Sequence, residues 1–132
     1  MKNEYGNNPI VRLLSMGRYR KGTNGAELDN RLQVVNENVF SKSIGDSFSS
    51  KDFEEYLILK EIDTLYIVGA DASACIYSTA RSGINKRYNV NIMKDAIITV
   101  NEKAMNQMLT KYASDNINII DLVQFRELVQ SK

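Results

Sequence analysis

The chain carries one cysteine and no histidine, and those two counts confine the chemistry open to it. Cys75 lies in LYIVGADASACIYSTARSGI (65–84), where an apolar run gives way to small residues and then to a helical pattern. A cysteine at a strand-to-helix turn suits nucleophilic catalysis. The unsatisfied N–H groups and dipole of a helix start favour thiolate over thiol, and the same N–H groups can hold an oxyanion. The run Ala70-Asp71-Ala72-Ser73-Ala74 has only small side chains, which lets a substrate approach the backbone. A lone cysteine also reads as a small buried hydrophobe. A third reading is an anion-binding turn, although Gly69 stands alone where phosphate loops use several glycines. Without histidine, no Ser-His-Asp triad, Cys-His dyad or HExxH zinc helix can form within this chain. Proton transfer then falls to Asp, Glu, Lys, Tyr or the thiol. Zinc would have only carboxylates and one thiol to bind, a poor ligand set, so neither metal nor cofactor is expected. Lys42, at the end of an expected strand, can favour a thiolate through its charge; taken alone it reads as a solvated lysine.

These residues need a scaffold. Ala26–Leu32 fits a short helix, and Val34–Lys42 (VVNENVFSK) reads as a strand from its β-branched and aromatic residues. Ser49-Ser50 offers an N-cap before KDFEEYLILKE, whose early acidic residues suit the helix dipole. Thr64–Val68 is a continuous apolar run, as in a strand buried on both faces. A helix is expected over Cys75–Lys86, with Ile76, Thr79, Ala80 and Gly83 on one close-packing face. Tyr88–Met93 alternates as a strand. A helix from Asn101 or Glu102 to Asp115 turns Ala104, Met105, Met108, Leu109 and Tyr112 inward. Asn116–Ile120 is a strand and Leu122–Val129 a final helix. Regular alternation of strand and helix with short links predicts a three-layer α/β/α domain on a mostly parallel sheet with right-handed crossovers. In open sheets of this kind ligands bind beyond the carboxyl ends of the strands, where Cys75 and Lys42 both fall.

The 132 residues suffice for a single domain, 1–132, burying roughly two-thirds of its unfolded-chain surface. Seventeen Lys and Arg nearly balance sixteen Asp and Glu, so no overall field favours nucleic acid or a membrane surface. The N-terminus lacks a signal-like apolar region, no run reaches transmembrane length, and a lone cysteine fits a reducing compartment. Cytoplasm is the expected location.

Four motifs carry a resemblance in the right order: KGTNGAELDNRL (21–32), KSIGDSF (42–48), IDTLYIVGADASACIYSTA (62–80) and RYNVNIMKDAI (87–97). Together they resemble the isochorismatase-like cysteine hydrolases, a superfamily that includes nicotinamidases and related amidases. The resemblance implies a Rossmann-like isochorismatase-type fold and an Asp-Lys-Cys triad. Cys75 matches the nucleophile that attacks a carboxamide carbon to form a thioester, and Lys42 matches the triad lysine. The amides of Asp71 and Cys75 match the oxyanion hole, and Ala70–Asp71 matches the family's cis peptide bond. Isochorismatases of siderophore pathways commonly lack the cysteine, so its presence points to amide-type hydrolysis of a small-molecule substrate.

The sequence also departs from the family. The triad aspartate belongs to a first strand with no counterpart here, so at least one βαβ unit, about 30 residues, is expected to be absent and the site incomplete. The expectation for the sheet is a gap beside Thr64–Val68 and an apolar edge along Leu65–Val68 that pairs with another copy of the chain. A non-catalytic binding or assembly module is the alternative. Asp46 and Asp71 lie near the site in sequence but are weak substitutes for the lost base. Asp95 reads as structural. Arg18-Tyr19-Arg20-Lys21 reads as a solvated loop rather than a nucleic-acid contact.

Overall fold

A computed structural model describes residues 1–3, 23–24, 31 and 37–131. The expected helix Ala26–Leu32, the segment KGTNGAELDNRL and the basic cluster 18–21 fall almost wholly outside those residues. Five strands are described: β1 (Lys2–Asn3), β2 (Ser41–Lys42), β3 (Thr64–Ala70), β4 (Asn89–Ile98) and β5 (Asn118–Ile120). The helices are α1 (Lys51–Leu59), α2 (Tyr77–Asn85), α3 (Glu102–Ser114) and α4 (Leu122–Gln130), with a 3-10 turn at Ser47–Ser49 and a π turn at Ala72–Ile76. All strand pairs are parallel, as the alternation of elements requires. β3, β4 and β5 form one sheet in that order, and β1 pairs with β2 in a second. No described strand joins the two sheets.

Several boundaries differ from expectation for local reasons. β2 is described over Ser41–Lys42, paired with Lys2–Asn3; residues 37–40 are not strand and 34–36 lie outside the description. β3 and β4 run longer than their apolar cores. Between Ile67↔Ile92 and Gly69↔Ile97 the register slips, β4 advancing five residues where β3 advances two. The bulge at Lys94–Ala96 lets pairing resume to Ala70. β5 starts late because Asn116 is left-handed (φ 59) and the Ile117 N–H still closes the turn of α3 on the Tyr112 carbonyl. Ser50 takes the cap position of α1 without a side-chain bond, and the Ser49 hydroxyl instead donates to the Asp46 carbonyl at 2.7 Å.

The other caps follow their sequences. The Asn101 side chain accepts from the Ala104 N–H at 2.8 Å, and Asp121 with Gln124 forms a complete capping box at α4. Asp95 works structurally, accepting from the Leu122 N–H at the start of α4 (2.9 Å).

The core lies on one face of the β3–β4–β5 sheet. Val90, Ile92 and Ile97 pack there with Ile76 and Ala80 of the α2 side, Met108 and Tyr112 of α3, and Ile117. The apolar stripes expected on α2 and α3 are the ones that turn inward. Gly83 is required for close approach: a Cβ there would sit 2.8 Å from Val90 Cγ2. The opposite face is thinner. Tyr66 meets the ring of Phe125 on α4 at 5.0 Å, yet Tyr66 and Val68 remain 40% and 52% exposed. This corrects the reading of Thr64–Val68 as buried on both faces. Among the described residues β3 is an outer strand, and α4 alone does not roof it.

Candidate active site

Cys75 stands on the π turn Ala72–Ile76, just before α2. The helical backbone therefore begins before the cysteine rather than at it. Asp71 explains the early start. Its carboxylate accepts from the Ser73 N–H (2.7 Å) and the Ser73 hydroxyl (2.6 Å), while its carbonyl takes the N–H groups of Ala74 (3.2 Å) and Ile76 (3.1 Å). Three N–H groups of the turn are thus occupied by one residue whose side chain is itself an anion. Those three N–H groups are therefore already engaged within the turn.

The Asp71 carboxyl is held below its ordinary value, chiefly by the Ser73 hydroxyl, with smaller help from the Ser73 and Ala74 backbone and from Thr99. Thr99, at the carboxyl end of β4, buries its hydroxyl without a partner at normal hydrogen-bond geometry, so its effect on Asp71 is that of a nearby dipole. The Ala70–Asp71 peptide is cis. Gly69 is positive in φ (+119), a conformation glycine adopts without the steric cost of a Cβ.

Lys42 is only 7% exposed, which corrects its reading as a solvated strand end. Its Nζ donates to the carbonyl of Gly45. Gly45 in turn lies against the cysteine: a Cβ built on it would sit 3.7 Å from both Cα and Sγ of Cys75. The two residues singled out for chemistry therefore meet through the main chain of Gly45. Burial of an ammonium is costly unless it is hydrogen-bonded, and the carbonyl provides that partner.

The acidic neighbours are committed elsewhere. Asp46 accepts from the Phe48 N–H (2.9 Å) with one oxygen and from the Ser82 hydroxyl with the other. Tyr112 on α3 is fully buried, and its hydroxyl donates to the carbonyl of Ala72 at the head of the turn. Burial, and secondarily the charge of Asp71, push the Tyr112 hydroxyl up to about 12. Sequence reasoning placed Tyr112 inward from helical spacing but had no signal for its bond to Ala72. It gave Gly45 and Ser82 no role in the site at all.

Among the described residues no three acidic or thiol side chains gather as a metal site, and no helix is long and apolar enough to cross a membrane. A surface groove of about 640 Å³ lined by Phe40, Asp52, Glu55, Tyr56, Ile58 and Leu59 includes neither Cys75 nor Lys42.

The chain is 28% identical over 91 residues to the uncharacterized isochorismatase family protein YrdC of Bacillus subtilis (strain 168). That match covers 69% of this chain and 48% of the relative, so the chain spans about half the length of the curated relative it matches. The fold is similar to that of an isochorismatase-like hydrolase from Alkaliphilus metalliredigens (TM-score 0.86, 20% identity, 96% of this chain and 70% of that one). It is also similar to the N-carbamoylsarcosine amidase of Thermoplasma acidophilum (TM-score 0.73, 20% identity, 91% and 69%). The model of the isochorismatase domain matches residues 5–123, nearly the whole sequence and every element around Cys75: the chain belongs to the isochorismatase family.

Proposed function

We propose that this chain carries the nucleophile half of a cysteine hydrolase that cleaves a small carboxamide or related C–N bond. The observation that carries the reading is the buried Lys42 ammonium bound to Gly45, the residue seated on Cys75. A buried cation held on the loop next to the nucleophile places fixed positive charge near the site where negative charge develops during acyl transfer. Membership in a family that includes hydrolases, and likeness in fold to an amidase, support the same chemistry.

In this reading Cys75 Sγ attacks the carboxamide carbon, and the N–H groups of Asp71 and Cys75 receive the oxyanion. The thiol proton passes through a base to the departing nitrogen as the C–N bond breaks, leaving a thioester. Water then adds to the thioester carbon, the C–S bond breaks, and acid and thiol are released. Asp46 and Asp71 are occupied by Ser82, Phe48 and Ser73, so neither is assigned the proton shuttle, and in this reading the site around Cys75 lacks its base among the described residues.

A second reading, an assembly module, is favoured by one observation: β3 leaves an edge unpaired by any described strand, next to exposed Tyr66 and Val68. We propose a second copy of the chain as its partner.

The deciding experiment incubates the protein with nicotinamide, pyrazinamide and N-carbamoylsarcosine, and follows ammonia release alongside intact-mass spectra of a trapped thioester. Turnover or an adduct that vanishes in Cys75→Ala supports the hydrolase. An assembled protein showing neither, in wild type and variant alike, leaves the module reading.

A further inference from the structure

Lys42 lies on β2 and Cys75 on the turn after β3, and no described strand joins their two sheets. Other described contacts hold the lysine's loop near the nucleophile. The loop from Ser41 to Ser50 is fastened to α2, the helix that begins two residues after Cys75. The Ser47 N–H donates to Thr79 Oγ1 at 3.0 Å, and the Thr79 hydroxyl is 3.2 Å from Ser47 Oγ. One turn further along the same helix face, the Ser82 hydroxyl donates to Asp46. Asp46 also governs the loop's own shape: its other oxygen accepts from the Phe48 N–H, and its carbonyl accepts from the Ser49 hydroxyl and N–H. Asp46 directly follows Gly45, the residue that carries the Lys42 contact and on which an added Cβ would lie 3.7 Å from Cys75 Sγ. Both partners of this pair are therefore referenced to α2, the cysteine through the chain and the lysine through Asp46.

We propose that Asp46 is a positioning residue, acting through its hydrogen bonds rather than its charge, that keeps the Lys42–Gly45 segment seated on Cys75. This rests on the cysteine-hydrolase reading. It predicts that a side chain able to make the same bonds replaces Asp46, which a catalytic base at this position would not allow. Asparagine qualifies: its carbonyl accepts from Phe48, and its amide donates to Ser82 Oγ.

The test alkylates Cys75, the sole thiol, with anionic iodoacetate and neutral iodoacetamide on the full chain at neutral pH. The ratio of the two rates reads the positive charge beside Sγ, and thermal melts confirm that each variant is folded. Lys42→Ala is expected to lower the ratio about tenfold, and Asp46→Ala roughly fivefold, on the scale of one nearby charge in a partly solvated site. Asp46→Asn is expected to stay within about twofold of wild type, the geometry being kept while the charge is removed. A ratio unchanged in folded Asp46→Ala, or lowered as far in Asp46→Asn, overturns the proposal. If Asp46→Ala does not fold, Ser82→Ala decides, since it cuts only the arm to α2: a lowered ratio supports the proposal and an unchanged one overturns it. A ratio unmoved by Lys42→Ala overturns the hydrolase reading and this inference with it. A ratio lowered by Lys42→Ala but not by the clamp variants overturns this inference alone.

Discussion

The hydroxyl of Tyr112 donates to the carbonyl of Ala72, joining the helix α3 to the first residue of the turn that bears Cys75. The two residues are 40 positions apart in sequence. The bond fastens α3 to the turn with the phenol fully buried, so its ionisation is tied to the integrity of the fold.

That tie has a defined pH signature. The folded Tyr112 value is raised, from 10.0 to about 12. A raised folded value means that the group's contribution is complete below the unfolded value, and is lost as pH rises from about 10 through about 12. The gap corresponds to on the order of 3 kcal/mol. Urea melts at pH 9 and pH 11 are expected to show wild type losing more stability than Tyr112→Phe over that interval. At pH 9 the same variant is expected to be about 1–3 kcal/mol less stable, because the Ala72 carbonyl loses its buried donor. Equal losses in the two proteins between pH 9 and 11 would contradict this account.

Gly83 presents the opposite sort of contact, one defined by lack of room. A methyl group there would meet Val90 Cγ2 at 2.8 Å and Leu65 Cδ1 at 3.5 Å. Val90 is 1% exposed and β-branched, so it has little freedom to yield. Alanine raises helix propensity by about 1 kcal/mol, while overpacking a core costs about 1–3 kcal/mol. Gly83→Ala is expected to lower stability on balance by about 1 kcal/mol. A double-mutant cycle with Val90→Ala provides the check. The pair is expected to be more stable than the sum of the single changes implies, and simple additivity would refute the steric explanation.

The outer edge of β3 makes a prediction about assembly. The strand TLYIVGA carries no charged residue, and Val68 is half exposed beside an edge that no described strand pairs. A lysine on an edge strand opposes further pairing. If a second copy pairs there, light scattering across a dilution series will show wild type dissociating to monomer, and Val68→Lys will shift the midpoint to at least about tenfold higher concentration. A monomer at every concentration rules this interface out.

Much of the scaffold was legible in the residues because its causes are local. The alternation of VVNENVFSK, TLYIV, YNVNIM and NINII with helical segments predicts parallel pairing, and β3, β4 and β5 pair that way. Asn101 and Asp121 stand one residue before helices and cap them. Ile76, Ala80, Met108 and Tyr112 follow helical spacing into one core. Errors arose where a partner strand set the limits, as in the extension of β4 through Ile98, or where a neighbouring layer decided burial, as at Tyr66 and Val68.

By itself the sequence determined the chemical inventory and the order of the elements: one thiol, no imidazole, and a strand-to-helix turn of small residues around Cys75. Those follow from composition and from interactions within a few residues of chain. Only the tertiary structure decided that Lys42 is buried on the carbonyl of Gly45, that Gly45 packs close enough for an added Cβ to lie 3.7 Å from Cys75, that Asp46 is occupied by Ser82, and that Tyr112 holds Ala72. Apart from the local Lys42–Gly45 bond, those contacts span roughly 30 to 40 residues of sequence. Their geometry depends on how α2 and α3 pack across the sheet, and no local pattern of residues encodes that packing distance.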